Sequence, residues 1–182
     1  MDYLLLVNKT NSLAKDYIPH DLTEVSSKYK KGIKLDKKVY ENFLKLQNDA
    51  FKHGFYIDIM SGYRDYYYQE KLYNKLVYEK GFNYAISRIA KPGCSEHQTG
   101  LALDICVYKD DKCYIEDEIT DFIEVKWLHQ NCYRYGFILR YPFGKEDITK
   151  YSYEPWHLRY VGEVAMEIYN KDITLEEFLN KF

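Results

Sequence analysis

The chain has 182 residues, 46% hydrophobic and 30% charged, a balance that suits one soluble globular domain spanning 1–182 and excludes a disordered polymer. Its formal net charge of −2 excludes the basic field that draws in nucleic acid or an acidic membrane surface, so no nucleic-acid partner is expected. No run approaches the roughly 18 apolar residues of a membrane span, so no membrane-spanning segment is expected either.

Taken in order, Tyr3–Val7 is a short apolar run that predicts a strand, and 8–34 reads as a long polar connection. Pro19, Gly32 and the cluster from Lys28 to Lys31 argue against a regular element there. Asp36 is placed to cap a helix whose apolar residues Val39, Phe43, Leu46 and Ala50 recur at helical spacing, with Gly54 as its end. Phe55–Met60, with β-branched Ile57 and Ile59, reads as a strand. Ser61–Asp65 is a turn into a second helix, faced by Leu72, Leu76 and the tyrosines between them and stopped at Gly81. A short helix over 82–89 follows, and then the strand 100–107. Beyond a turn rich in Asp and Lys, Thr120 is expected to cap a helix with the stripe Val125, Leu128, Cys132 and Tyr135, closed by Gly136. Phe137–Tyr141 and Trp156–Val161 read as strands separated by a Pro142–Gly144 turn and a polar loop. The tail predicts a helix with a Thr174/Glu177 capping box, burying Leu175, Phe178, Leu179 and Phe182. Short strands and uneven connections favour an α+β domain, with a small antiparallel or mixed sheet packed with helices, over a doubly wound parallel fold.

Cys94, Cys106, Cys113 and Cys132 show no C-x-x-C spacing, which leaves them as reduced, partly buried thiols. No leader is visible, because Tyr3–Val7 is too short for one and Asp2 replaces the usual positive flank. The expectation is a cytoplasmic protein, or an extracellular one if a leader has been trimmed. Most of the 21 tyrosines read as amphipathic filler at the core margin, and a minority could line a polar cleft.

Chemistry concentrates in 91–107. Leu101, Leu103 and Ile105 would share one strand face, which leaves Ala102, Asp104 and Cys106 on the other. A carboxylate there costs several kcal/mol to bury, roughly, unless it is paired or bound to a metal. Fully extended, His97 and Asp104 would lie on the order of 23 Å apart. Gly100 offers the turn that brings them together. His157, fifty residues on, is preceded by Glu154. Two imidazoles (His97, His157), one carboxylate ligand (Asp104) and a spare carboxylate are the parts of a catalytic zinc site, which keeps a position open for water. Cys94 as a fourth ligand would remove that opening. Glu154 is the candidate base; Pro155 forces it into an extended conformation, so a bend is needed if Glu154 and His157 are to face one metal. Arg64, at a strand end before a helix, can hold a carboxylate bidentately or stabilise an oxyanion; a surface salt bridge with Asp65 or Glu70 is its bland alternative.

These segments also carry a family likeness. Ser95-Glu96-His97-Gln98-Thr99-Gly100-Leu101-Ala102-Leu103-Asp104 resembles the S-x-H-x-x-G-x-A-x-D signature of zinc D-Ala-D-Ala carboxypeptidases, the VanY/VanXY group of LAS-type metallopeptidases. Glu154-Pro155-Trp156-His157 resembles the group's E-x-W-H, and Ser61-Gly62-Tyr63-Arg64 with Gln69 its S-G-Y-R…Q segment. The resemblance implies Zn²⁺ held by His97, Asp104 and His157, with substrate contacts from Ser95 and Gln69. Asp65 stands where members of the group often carry Ser, which bears on fine substrate recognition and leaves the metal untouched. Tyr141 and Trp156 are candidates for the cleft wall, with core packing as the equal alternative. The implied activity is removal of the C-terminal D-Ala from D-Ala-D-Ala-ending peptidoglycan stem peptides, with the free D-Ala-D-Ala dipeptide as a further substrate. The alternatives are an L,D-carboxypeptidase that trims tetrapeptide stems, or a zinc-containing peptidoglycan-binding module without catalysis, against which an intact Glu154 and Arg64 argue.

Overall fold

Helix α1 (Lys37–Lys52) starts where the sequence predicts. The Asp36 carboxylate accepts from the amides of Lys38 (2.9 Å) and Val39 (3.3 Å), and Val39, Phe43, Leu46 and Ala50 all turn inward. The computed structural model describes residues 2–180, so the expected burial of Phe182 lies outside the described residues. Ahead of α1, β1 (Leu22–Glu24), inside the stretch expected to be irregular, forms a small antiparallel pair with β2 (Lys34–Asp36), which starts at the end of that stretch. The polar composition of 8–34 conceals it, because each strand is only three residues long and leaves no readable alternation.

Tyr3–Val7 is not a strand. Leu6 and Val7 are buried as expected of an apolar run, but the carbonyls of Tyr3 and Leu5 accept from the Arg159 guanidinium at 3.0 and 2.8 Å. A side chain from the sheet satisfies this backbone, so no neighbouring strand is needed.

The main sheet is antiparallel throughout. β3 (Tyr56–Ser61) pairs with β4 (Ala102–Lys109), β4 with β7 (His157–Tyr160), and β7 with β6 (Phe137–Leu139). A further strand, β5 (Lys112–Ile115), pairs with the far end of β4 and occupies the segment read as a turn. One face of β4 sends Leu103, Ile105 and Val107 into a core shared with α1 and with Val125 and Leu128 of α4 (Ile123–Asn131). Truncating such a fully buried leucine to alanine typically costs about 2–5 kcal/mol. The other face carries Asp104. Thr120 does not cap α4; Phe122 holds that position, and the Thr120 hydroxyl donates instead to the Asp117 carbonyl at 2.8 Å, closing a 3₁₀ turn over Glu116–Ile119.

Between β3 and β4 run α2 (Tyr66–Lys80) and α3 (Phe82–Arg88). Asp65, the residue that departs from the expected Ser, caps α2 by accepting from the Tyr68 amide at 2.7 Å. Gln69 and Tyr73 are the fully inward residues of α2, whereas Leu72 and Leu76 are half-buried. After β6 come the single turn α5 (Glu146–Thr149), then β7, α6 (Ala165–Lys171) and α7 (Leu175–Phe178). α7 starts with the predicted Thr174/Glu177 capping box. Leu175 of α7, Ile168 of α6, Ile138 and the N-terminal Leu6 make a second, smaller core. All four cysteines are free thiols.

Candidate metal centre and cleft

The sheet register itself assembles half of the site. Asp104 of β4 lies directly opposite His157 of β7, and Asp104 Oδ1 is 3.0 Å from His157 Nδ1. His97 arrives by the expected turn: Glu96–Thr99 is a 3₁₀ helix ending at Gly100, whose φ of 72° reverses the chain into β4. A Cβ at Gly100 would sit 3.0 Å from Leu22 Cδ2, so the turn is crowded as well as left-handed. His97 Nε2 then stands 3.3 Å from Asp104 Oδ2.

His97, Asp104 and His157 each offer a ligand atom within 4.8 Å of the others, all three buried. His97 Nε2 is buried without a hydrogen-bond partner, which leaves its lone pair free for a cation, and Asp104 Oδ1 faces only His157 Nδ1. The outer nitrogens are both occupied. His97 Nδ1 meets the Gly62 carbonyl at 2.7 Å, and His157 Nε2 meets Glu96 Oε1 at 2.9 Å. Two imidazoles, each oriented from behind, and one carboxylate fit zinc with a position left open. Cys94 is half-buried and takes no part in this cluster.

Burial would raise the Asp104 carboxyl, but the two imidazoles beside it reverse the effect and hold it well below the usual carboxylate range. Burial, with the Arg64 charge nearby, lowers His97 against the opposing pull of Asp104. Burial also acts to lower His157, yet its hydrogen bonds to Asp104 and Glu96 raise it to about 9. A cation that takes Nδ1 must displace a proton there.

Glu154 completes the cluster. Its backbone folds into the required bend: the His157 amide donates to the Glu154 carbonyl at 3.2 Å, and the Glu154 amide to the Tyr141 carbonyl at 3.1 Å. His129 supports this turn through a 2.8 Å contact from Nε2 to the Pro155 carbonyl. The carboxylate of Glu154 ends 3.6 Å from His157 Nδ1, and burial pushes its pKa up to about 7. That value suits a group that must accept and then return a proton near neutral pH.

Around these groups lies a cleft of about 350 Å³, lined among others by Arg64, Ser95, Tyr141, Glu154 and Trp156. Arg64 forms no ion pair among the described residues, so the salt bridge with Asp65 or Glu70 is not made; its Nε is buried without a partner, and its amide donates to the His97 carbonyl at 3.3 Å. The Tyr141 ring lies 5.0 Å from the His157 ring, tilted at 44° to it, and half-buried Trp156 packs against the core while it lines the cleft. Gln69 is the exception among the expected substrate contacts. It sits behind the wall, where Nε2 donates to the Ala90 carbonyl at 2.8 Å, and it does not line the cleft. The sequence reading omits Glu96, Tyr151, Glu116 and Asp117. Glu96 lies within a motif, but nothing in one sequence separates it from a solvated glutamate; the others sit on segments without periodicity.

A family model described as VanY, D-alanyl-D-alanine carboxypeptidase, matches residues 32–163. The putative carboxypeptidase YodJ of Bacillus subtilis is 43% identical over 184 residues, covering 98% of this chain and 67% of that protein. A D-alanyl-D-alanine carboxypeptidase of Enterococcus faecalis is 37% identical, covering 97% and 65%. The chain thus spans about two thirds of the length of these two relatives. Among solved structures, the LdcB LD-carboxypeptidase aligns at a TM-score of 0.88 with 41% identity, covering 97% of this chain and 85% of that one. The vancomycin-resistance D,D-pentapeptidase VanY in complex with Zn(II) aligns at 0.85 with 35% identity, covering 99% and 100%. VanYB in complex with D-alanine-D-alanine aligns at 0.83 with 37% identity, covering 98% and 97%. A match over most of the chain, by sequence and by fold, leaves one assignment: this chain belongs to the VanY family of D-alanyl-D-alanine carboxypeptidases.

Proposed function

We propose that this chain is a zinc-dependent D,D-carboxypeptidase that releases the terminal D-alanine from stem peptides ending in D-Ala-D-Ala and also cleaves the free dipeptide. The observation that carries this reading is the buried His97–Asp104–His157 triangle at the floor of a cleft, with Glu154 at 3.6 Å from His157 Nδ1. The VanYB complex with D-alanine-D-alanine supports the substrate class.

Zinc, when bound by these three residues, supplies Lewis acidity towards the scissile carbonyl and towards water. Glu154 takes the proton from the attacking water and passes it to the departing amine. Arg64 presents an unpaired guanidinium to the charge that develops on the carbonyl oxygen or to the substrate's own carboxylate. Tyr141 and Trp156 wall the cleft and exclude solvent from the reacting centre.

The 41% identity to LdcB favours a second reading, in which the same machinery removes the last residue of a tetrapeptide stem as an L,D-carboxypeptidase. Purified zinc-loaded protein assayed on the dipeptide, a D-Ala-D-Ala-ending pentapeptide and a tetrapeptide separates the two. Release of D-alanine from the first two is expected; release from the tetrapeptide alone would establish the L,D reading.

A further inference from the structure

Behind His157 lies a cluster of buried charges that the proposed reaction does not use. Glu96, Arg140, Arg159 and Glu176 are each at most 1% exposed. Glu96 Oε2 accepts from Arg140 Nε at 2.8 Å and from Arg159 Nη1 at 3.1 Å, while Oε1 faces His157 Nε2 at 2.9 Å. Arg140 continues outward through a two-bonded pair with Glu176, at 2.8 Å from Nη1 and at 2.6 Å from Nη2. Asn8 closes that end by donating to Glu176 Oε1 at 3.1 Å, and Arg159 Nη2 donates to the carbonyls of Tyr3 and Leu5.

Two carboxylates against two guanidiniums make the cluster neutral as a whole, which is the condition for keeping charges buried. Its place in the chain is equally specific. Glu96 precedes one ligand, Arg159 follows another by two residues on the same strand face, and the Arg140 amide donates to the His157 carbonyl at 3.2 Å. A carboxylate with two guanidiniums on one oxygen has a single role left for the other, to accept. The nitrogen of His157 that faces it must carry a hydrogen, and the opposite nitrogen is then the one with a lone pair to offer.

We infer that Glu96 is the positioning residue of the metal centre: pinned by Arg140 and Arg159, it commits His157 to binding metal through Nδ1, and Glu176 with Asn8 makes both terminal segments part of that support. This inference rests on the zinc-site reading and concerns how one ligand is held, not which substrate is cut.

The Glu96→Gln variant tests it. With its amide oxygen drawn to the two guanidiniums, the variant turns NH₂ towards His157 Nε2, and the neutral imidazole then carries its hydrogen on Nδ1. Zinc affinity, measured by competition with a chromogenic chelator, is expected to fall about 10–100-fold, the usual loss for a residue that orients a ligand. Glu176→Gln, which touches no ligand, is expected to weaken zinc binding less than Glu96→Gln does. Independently of any variant, wild-type protein loaded with ¹¹³Cd and labelled with ¹⁵N-histidine is expected to show metal coupling to Nδ1 of His157 and to Nε2 of His97. Coupling to Nε2 of His157 would overturn the inference even if Glu96→Gln fails to fold. Equal zinc affinity in wild type and a folded Glu96→Gln would overturn it while leaving the zinc reading intact; a wild-type protein that binds no zinc would overturn both.

Discussion

At Glu154 the requirements of chemistry and of folding conflict. Burial raises its carboxyl from 4.5 to about 7, so the fold disfavours the ionised form. The sign follows from the two states. Below about 4.5 the group is protonated folded or unfolded and costs nothing; above about 7 the folded chain carries the full penalty. Metal-free Glu154→Gln protein should therefore be more stable than wild type at pH 8, by about 1–3 kcal/mol, with the gain gone at pH 4. Denaturant unfolding of both proteins at the two pH values measures this, and an equal or lower stability of the variant at pH 8 would contradict the buried environment assigned to Glu154. Arg64 makes a separate case. It lines the cleft, its Nε has no partner and its charge is felt by both His97 and Glu154. Arg64→Ala should lower kcat by an amount equivalent to about 3 kcal/mol or more, with Arg64→Lys restoring only part, because a point charge lacks the planar fork. A change confined to KM would reassign Arg64 to the substrate carboxylate.

At the scale of elements, the ends of strands and two turns set the site's precision. Gly62 closes β3 against β2: a Cβ there would collide with the Lys34 carbonyl oxygen and come within 2.9 Å of Ile33 Cγ2, while its own carbonyl accepts from His97 Nδ1. Gly62→Ala should therefore cost about 1–3 kcal/mol of stability and weaken zinc binding at the same time. Unchanged zinc affinity in the variant would show that this strand end does not hold His97. Elements with a strong local signal are the ones legible in the sequence. α1 has four apolar residues at helical spacing and a capping Asp36; β4 has its alternation; the Glu154–His157 bend follows from Pro155 and the need to face one metal. The β1–β2 pair, β5 and α6 lack such a signal and escape it. Tyr3–Val7 misleads for the opposite reason: its apolar run is buried as expected, but Arg159 from a distant strand takes the backbone bonds that a strand partner would supply.

Across the whole molecule, the candidate metal ligands come from segments that are far apart in sequence, and the antiparallel pairing of β4 with β7 makes them neighbours. The identities of the ligands are legible as residue types near glycines and a proline; the charge cluster behind them is not, because no pattern in one chain says which arginines and glutamates are buried together. A cation bound to all three ligands ties these segments in the folded state only, so zinc should stabilise the protein by about 4 kcal/mol at a thousandfold excess over its Kd. His157→Ala should lose that stabilisation, and a zinc-dependent melting shift equal to wild type's would exclude His157 as a ligand. The most direct test of the account compares D-alanine release from a D-Ala-D-Ala-ending pentapeptide by wild-type and Glu154→Gln proteins of equal zinc content. Wild type should turn over and lose activity to a chelator, while the variant keeps its zinc and slows by about 10²–10⁴-fold. A variant that keeps the wild-type rate, or one that loses zinc in step with activity, would contradict the assignment of Glu154 as base beside a His97–Asp104–His157 zinc.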